Sequence, residues 1–390
     1  MKILRVISSM HPSKGGPCQG IRNAIPYFDK AGITTEVVCM DNKMDNYPIK
    51  DDFVVFKVGN GKTSYQYQPE LLKWLKVHIQ EYDFVIVHGL WQYHNLAVYK
   101  AVKLLKMKQQ YVPKIAIMPH GMLDPYFQKA PDRKWKALRN ELVWSLIEKK
   151  CINQADAIFY TCEEEMRLAA TTFKNYNPKK IFNVGYGIQM PPKDNIDFTL
   201  AFYKKCPAVE GKKYLLFLSR IHEKKGVDLL IKEYNALSLK KSDLPHLVIA
   251  GPKESFYAEG IMNSVLNNSK IHFPGMLSGD AKWGAFYNCM AYLLPSHQEN
   301  FGIAIVEAMA CKKPVLITKN VNIWNEIIIG EGGWVIDLEE NNGLRNAVSE
   351  IVKESDKNLL IKGSKAFETF QDKFDINTCA NMFIQTLKNI

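Results

Sequence analysis

Short apolar runs separated by turn residues recur along the chain. KILRVIS (2–8), TTEVVCM (34–40), DFVIVHG (83–89), KIAIMPHG (114–121) and DAIFYT (156–161) are of strand length and rich in Ile, Val and Phe. Near-continuous apolar runs of this kind suit strands buried on both faces of a parallel sheet. Between them the period changes. GGPCQGIRNAIPYFDKAG (15–32), ELLKWLKVHIQEY (70–82) and KWKALRNELVWSLIEKKCINQA (134–155) place apolar residues at helical spacing, and the first closes on Gly32 as a helix end does. The pattern restarts in the second half. YLLFLSR (214–220), HLVIAG (246–251), IHFPG (271–275), AYLLPS (291–296), PVLIT (314–318) and GWVI (333–336) read as strands, and GVDLLIKEYNAL (226–237) as a helix.

Strand–helix alternation of this kind predicts an α/β protein with helix-covered parallel sheets. The 390 residues exceed one ordinary core and predict two domains. GIQMPPKDNID, near 187–198, holds Pro191 and Pro192 and is the expected linker. The predicted domains are 1–190 and 198–371. Open α/β sheets bind ligands at the carboxyl ends of their strands. Gly15-Gly16, His88-Gly89, His120-Gly121, Arg220, Gly251, Gly275 and Glu299 all fall there, and a cleft between the domains is the expected site.

Composition narrows the class. Hydrophobic residues make up 47% and charged residues 23%, as in a soluble globular protein. No apolar run approaches the roughly 18 residues of a membrane span. MKILRVISS at the start reads as a buried strand rather than a secretory leader. Eight cysteines occur without a C-x-x-C pair, which disfavours zinc ribbons and fits reduced thiols in a cytosolic enzyme. The net charge of +11 points to an anionic partner: phosphorylated metabolites or an acidic membrane surface. No basic stretch interleaved with aromatics is present, so nucleic acid is set aside.

Candidate chemistry follows the strands. In HPSKGGPCQG (11–20) paired glycines let a ligand approach the backbone ahead of a helix N-terminus, although Pro17 removes one donor. No G-x-G-x-x-G occurs. GNGKTS (59–64) has Phe56 where a P-loop needs Gly and reads as a polar loop. SRIHEKKGVDLLI (219–231) sets Arg220 at a strand end and Lys225 beside Gly226 at a helix start, the makings of a diphosphate clamp. MPHGML offers His120 for hydrogen bonding or proton transfer; His88 reads as a residue that only fixes its loop. PSHQENFGIAIVEAMA (295–310) puts Glu299 in a turn and Glu307 about one turn into a helix starting near Gly302. Carboxylates there accept sugar hydroxyls, while the helix start between them favours an anion. There is no D-x-D and no histidine at ligand spacing, so no metal is expected. A glycosidase pair flanking one bond suits this geometry less well.

SRIHEKKGVDLLI, LVIAG, HFPGML and PSHQENFGIAIVEAMACKKPVLIT, in this order, resemble the family 4 retaining glycosyltransferases. GGP and PHGMLDPY resemble the branch that builds bacterial surface polysaccharides. The resemblance implies a GT-B fold: two Rossmann-like β/α/β domains facing each other across a deep cleft, with the C-terminal helix (372–390) returning to the first. It implies that Arg220 and Lys225 hold the donor diphosphate, that Glu307 binds the ribose, and that Glu299 binds the transferred sugar with Asn300, Phe301, Gly302 and Ile303. Gly16 would pack on the diphosphate, His120 would contact the donor sugar near its reacting carbon, and Gly251 and Met276 would border the nucleotide. His120, Glu299, Arg220 and Lys225 are the expected catalytic set.

From this resemblance the expected activity is transfer of a hexose, with glucose favoured, from a nucleotide sugar, with UDP favoured over GDP. The expected acceptor is an oligosaccharide or lipid-linked saccharide. No cofactor or metal is expected, and the protein is expected in the cytoplasm, with work at the inner face of the plasma membrane fitting its basic charge. A sugar-nucleotide epimerase or phosphorylase on a similar fold, and a non-catalytic nucleotide-sugar binding protein, are the alternatives. A phosphorylase needs a pyridoxal-phosphate lysine, for which no sequence context is found.

Overall fold

Strands buried on both faces favour apolar residues, and the run ILRVI of β1 (Lys2–Ile7) is buried throughout, Arg5 being its one charged member. The computed structural model describes residues 1–47, 49–130, 133–239, 243–265 and 268–390. The chain divides into two units: Met1–Gly187 with Ile376–Ile390, and Ile188–Asp375.

In the first unit β1 is joined by β2 (Thr34–Cys39), β3 (Val55–Lys57), β4 (Phe84–His88), β5 (Lys114–Met118), β6 (Ala157–Tyr160) and β7 (Ile181–Asn183). The order is β3-β2-β1-β4-β5-β6-β7, and every pairing is parallel. Alternate residues serve opposite faces. Leu4, Val6, Val85, Val87 and Ile117 enter one core cluster. Ile3, Ile86, Ala116 and Phe159 enter another, with Phe28 and, from the C-terminal helix Ile376–Lys388, Phe383, Ile384 and Leu387.

The second unit holds β8 (Tyr214–Leu218), β9 (His246–Ala250), β10 (Ile271–Gly275), β11 (Ala291–Leu294), β12 (Val315–Thr318) and β13 (Gly333–Ile336). These also run parallel, in the order β10-β9-β8-β11-β12-β13. Each sheet reverses its direction of growth once, between β1 and β4 in the first and between β8 and β11 in the second. Such switch points open a crevice at the carboxyl edge.

Three expectations about elements need correction. The stretch 134–155 is not one regular helix. It runs as α-helix Lys134–Val143, a π turn Trp144–Glu148 and α-helix Lys149–Gln154. Asn140, Trp144, Glu148 and Ile152 are all buried at a strict spacing of four. A 3.6-residue period would rotate that stripe off the core, and the wider π turn takes up the drift. The Pro-rich stretch expected as linker already contains the start of a helix, Ile196–Lys205, capped by the Asn195 side chain accepting the Phe198 N–H at 3.1 Å. Arg220 lies two residues beyond the end of β8, in exposed loop rather than in the strand.

Candidate functional site

In the second unit the predicted residues gather at the carboxyl edge of one sheet. After β8 the chain makes a 3-10 turn, Glu223–Lys225, before helix Val227–Ser238. Gly226 joins them with φ +66°, and a Cβ there would lie 2.0 Å from the Pro295 carbonyl oxygen, so only glycine fits. The Lys224 carbonyl accepts the His297 N–H at 2.8 Å and the Ser296 hydroxyl at 2.9 Å. These contacts bind the loop after β8 to the loop after β11, across the switch point. Gly251 works similarly: its N–H donates to Gly275 at 3.0 Å, and a Cβ would meet the Ser219 carbonyl at 2.1 Å. Met276, next along, is 68% exposed.

This framework sets Lys225 against Glu299. The Lys225 ammonium is buried and donates to Glu299 Oε2. Burial, helped by the Lys224 and Arg220 cations, pushes Lys225 down to about 7; the Glu299 carboxylate opposes that shift by favouring the charged form. An ammonium has three donors, so Glu299 leaves others for an anion. The Glu299 backbone is held at both ends, donating to Asn320 at 3.0 Å and accepting from Asn322 at 2.9 Å. The Asn322 side-chain amide donates to Asn300 Oδ1 at 3.1 Å. Phe301 is buried, Gly302 caps helix Ile303–Ala310 with φ +77°, and the first N–H groups of such a helix have no partner within it. Glu307 lies on that helix and accepts from Lys282 Nζ at 2.9 Å. Lys282 was not anticipated from sequence; its place in helix Gly279–Asn288 carried no motif.

The first unit carries a second cluster at its own switch point. Arg5 of β1 is buried, with its guanidinium over the rings of Phe28 and Phe383 at 5.1 and 5.4 Å. Its Nη1 donates to His88 Nε2 at 3.3 Å, and His88 Nδ1 lies 2.9 Å from His120 Nε2. Arginine only donates. His88 therefore accepts at Nε2 and carries its proton on Nδ1, which donates to His120 Nε2 and leaves the His120 proton on Nδ1. Desolvation first, and the Arg5 cation second, hold His120 neutral, well below its ordinary value; the same two causes hold His88 neutral. His88 thus has a partner in His120 that its sequence context did not suggest.

The loop bearing His120 is itself constrained. His120 and Gly121 have φ +53° and +78°. Glu165, buried, accepts the Gly121 N–H at 2.5 Å and both the N–H and hydroxyl of Thr161 at 2.8 and 2.6 Å. Gly16 opens helix Gly16–Lys30, and a Cβ there would meet nothing within 4 Å. Its carbonyl accepts the Tyr186 hydroxyl at 2.7 Å. Among the described residues no group of three or more His, Cys, Asp or Glu is placed to hold a metal ion.

Residues 201–365 match the family described as Glycosyl transferases group 1. An uncharacterized glycosyltransferase of Methanocaldococcus jannaschii is 29% identical over 166 residues, 42% of this chain and 44% of that protein. The chain thus aligns with less than half the length of that relative. The capsular polysaccharide biosynthesis glycosyltransferase CapM of Staphylococcus aureus is 22% identical over 303 residues, covering 71% of this chain and 78% of CapM. Among solved structures, Anabaena HepE, described in complex with UDP and glucose, superposes with a TM-score of 0.75 over 100% of both chains at 18% identity. That likeness gives the fold: two Rossmann-like units of the GT-B type. Residues 201–365, carried on this fold, match the glycosyl transferases group 1 family.

Proposed function

We propose that the protein is a retaining hexosyltransferase that takes its sugar from a nucleotide diphosphate donor, UDP-glucose first among the candidates. The acceptor is a saccharide or lipid-linked saccharide of polysaccharide biosynthesis. One observation carries this: the switch point of the second sheet sets a buried ammonium, Lys225, on a carboxylate, Glu299, beside exposed Arg220 and a helix start. HepE, of the same fold, is described with UDP and glucose, and CapM by its capsular polysaccharide role. Contact with an anionic membrane surface belongs to the same proposal, on the strength of the +11 charge.

The chemistry follows from charge. Cleaving the sugar–phosphate bond leaves negative charge on the diphosphate and positive character on the sugar carbon. Lys225, Arg220 and the N–H groups at the start of helix Ile303–Ala310 stabilise the former, so the protein itself supplies the positive charge and no metal is assigned. Glu299 takes hydroxyls of the transferred sugar, with Asn300 and Phe301 beside it, and Glu307 takes the ribose. Gly251 and Met276 border the nucleotide. Gly16 is assigned to the diphosphate and His120, through its Nδ1–H, to the sugar. The leaving phosphate takes the acceptor proton in a front-face substitution, so neither glutamate acts as general base.

A panel of nucleotide sugars, scored by nucleotide release and thermal shift, tests the proposal. Lys225→Ala should lower turnover on the order of a hundredfold or more. Glu307→Ala should weaken binding of the free nucleotide; Glu299→Ala should impair donor use and spare nucleotide binding. Full transfer by Lys225→Ala, or loss of transfer in chelator, would overturn the assignment.

A further inference from the structure

One helix in the first unit wears its apolar side outward. On Lys134–Val143 and the π turn after it, Trp135, Leu138, Leu142 and Leu146 are 85%, 55%, 57% and 67% exposed. Steps of three and four align them in one stripe. The helix does not need this stripe to dock. Its other side buries Asn140, Trp144 and Glu148. Trp144 stacks on Phe173 at 4.7 Å and donates from Nε1 to the Lys174 carbonyl at 3.0 Å. A contiguous exposed stripe that includes a tryptophan marks an interaction surface rather than ordinary scatter.

Charge identifies the partner. Lys134, Lys136, Arg139 and Lys150 are exposed along the same stretch, with Arg133 and Lys149 partly so. Glu141 is the one exposed carboxylate among residues 133–150, since Glu148 is buried. A protein partner fits poorly, because the core of a protein interface is depleted in Lys. A second copy in two-fold symmetry would set these cations against themselves. An anionic bilayer surface satisfies both parts at once: tryptophan and leucine enter the headgroup–acyl boundary while Lys and Arg meet the phosphates.

We propose that this face, the stripe Trp135–Leu138–Leu142–Leu146 with its flanking cations, docks the protein on anionic lipid. It rests on the membrane-contact part of the function above and gives that contact a place. Flotation of the full chain with vesicles of equal parts phosphatidylglycerol and phosphatidylcholine tests it, without any sugar donor present. Binding to these vesicles, absence of binding to pure phosphatidylcholine, and weakening with added salt are expected. The pair Trp135→Ser with Leu142→Ser, and separately Arg139→Glu with Lys150→Glu, should each weaken binding by roughly tenfold or more. All four residues are exposed, so the fold should persist, as circular dichroism and thermal melting can verify. If the unaltered chain ignores anionic vesicles, membrane contact fails altogether. If it binds and both variants bind equally well, membrane contact stands and this face is wrong. A concentration-dependent dimer in sedimentation, abolished by Trp135→Ser with Leu142→Ser, would assign the face to self-association and overturn the proposal.

Discussion

Lys225 is a cation that burial makes reluctant to stay charged. Its ordinary value of 10.5 falls to about 7 in the folded chain. Between those values the unfolded chain holds a proton that the folded chain does not, so this group makes stability rise with pH across that window; below about pH 7 its full desolvation penalty is present. A bound diphosphate reverses the preference by favouring the ammonium. Affinity for UDP should therefore fall as pH climbs from 7 to 9, with proton uptake on binding, both measurable by calorimetry in buffers of different ionisation enthalpy; Lys225→Ala should flatten the profile. A pH-independent affinity would remove Lys225 from the phosphate. The histidine chain makes a second residue-level case. Arg5→Met keeps an aliphatic stem between Phe28 and Phe383; desolvation still holds His120 down, but the cation that adds to it is gone. The His120 ring should then titrate at higher pH, as ring-proton NMR would show; an unchanged titration would refute the link. Strand-to-turn positions made Lys225, Glu299 and His120 visible in the sequence, because strand ends are local features. Their partners were not visible: Lys225 and Glu299 lie 74 positions apart, Arg5 and His88 83 apart, and no local pattern encodes a side-chain contact across strands.

At the scale of elements, the π turn Trp144–Glu148 brings a carboxyl group where water does not reach. Glu148 accepts the Trp91 N–H at 2.8 Å with Oε1, while Oε2 has no partner among the described residues. Trp91 itself sits at φ +68°, so this bond holds a left-handed residue in the loop after β4. Burial pushes Glu148 from 4.5 up to about 8, against the weaker opposing effect of the Trp91 bond. Here the folded chain keeps a proton that the unfolded chain releases. Stability is intact below about pH 4.5 and is lost as pH rises toward 8, by at most about 1.4 kcal/mol per pH unit. Glu148→Gln retains the Oε1 acceptor and cannot ionise. Its melting temperature should exceed that of the unaltered protein increasingly between pH 5 and 8, and a constant difference would show that Glu148 is charged throughout. The π turn escaped sequence reading because helical spacing alone does not separate a period of 3.6 from a local 4.4. The helix Tyr93–Met107 escaped for another reason: its signal was present, with His94, Ala97, Val98, Ala101, Val102 and Leu105 buried, but its Tyr-His-Asn start carries no usual cap. The edge strands β3 and β7 have three residues each, too few to show a period. Long apolar strands were legible because burial on both faces favours apolar residues at nearly every position, buried Arg5 and His88 being exceptions.

At the scale of the molecule, the chain leaves its first unit after Gly187 and returns at Ile376, so the second unit is one uninterrupted segment, Ile188–Asp375. Everything assigned to the nucleotide and its phosphates, apart from Gly16, lies in that segment. Its six-stranded sheet is buried through Leu216, Val248, Leu293 and Leu316. It is also closed on itself at its ends: Ile188 donates to Phe374 at 2.9 Å, and Phe374 packs edge-on against Phe301 with centroids 5.5 Å apart. The first unit has no such continuity, because its second core cluster is completed by Phe383, Ile384 and Leu387 from the far end of the chain. An excised 188–375 segment should therefore fold with a cooperative melt and bind UDP, while transferring no sugar. A 1–187 segment should expose Phe28 and Phe159 and aggregate, because Phe383 meets both rings edge-on at 5.4 and 5.1 Å, and deleting one such buried ring costs about 3–5 kcal/mol. Adding the 376–390 peptide in trans should restore solubility to that segment. Calorimetry on the excised segment decides the point: a folded 188–375 that ignores UDP would show that the donor residues of the second unit do not suffice for nucleotide binding, and would move part of that role to Gly16 and His120.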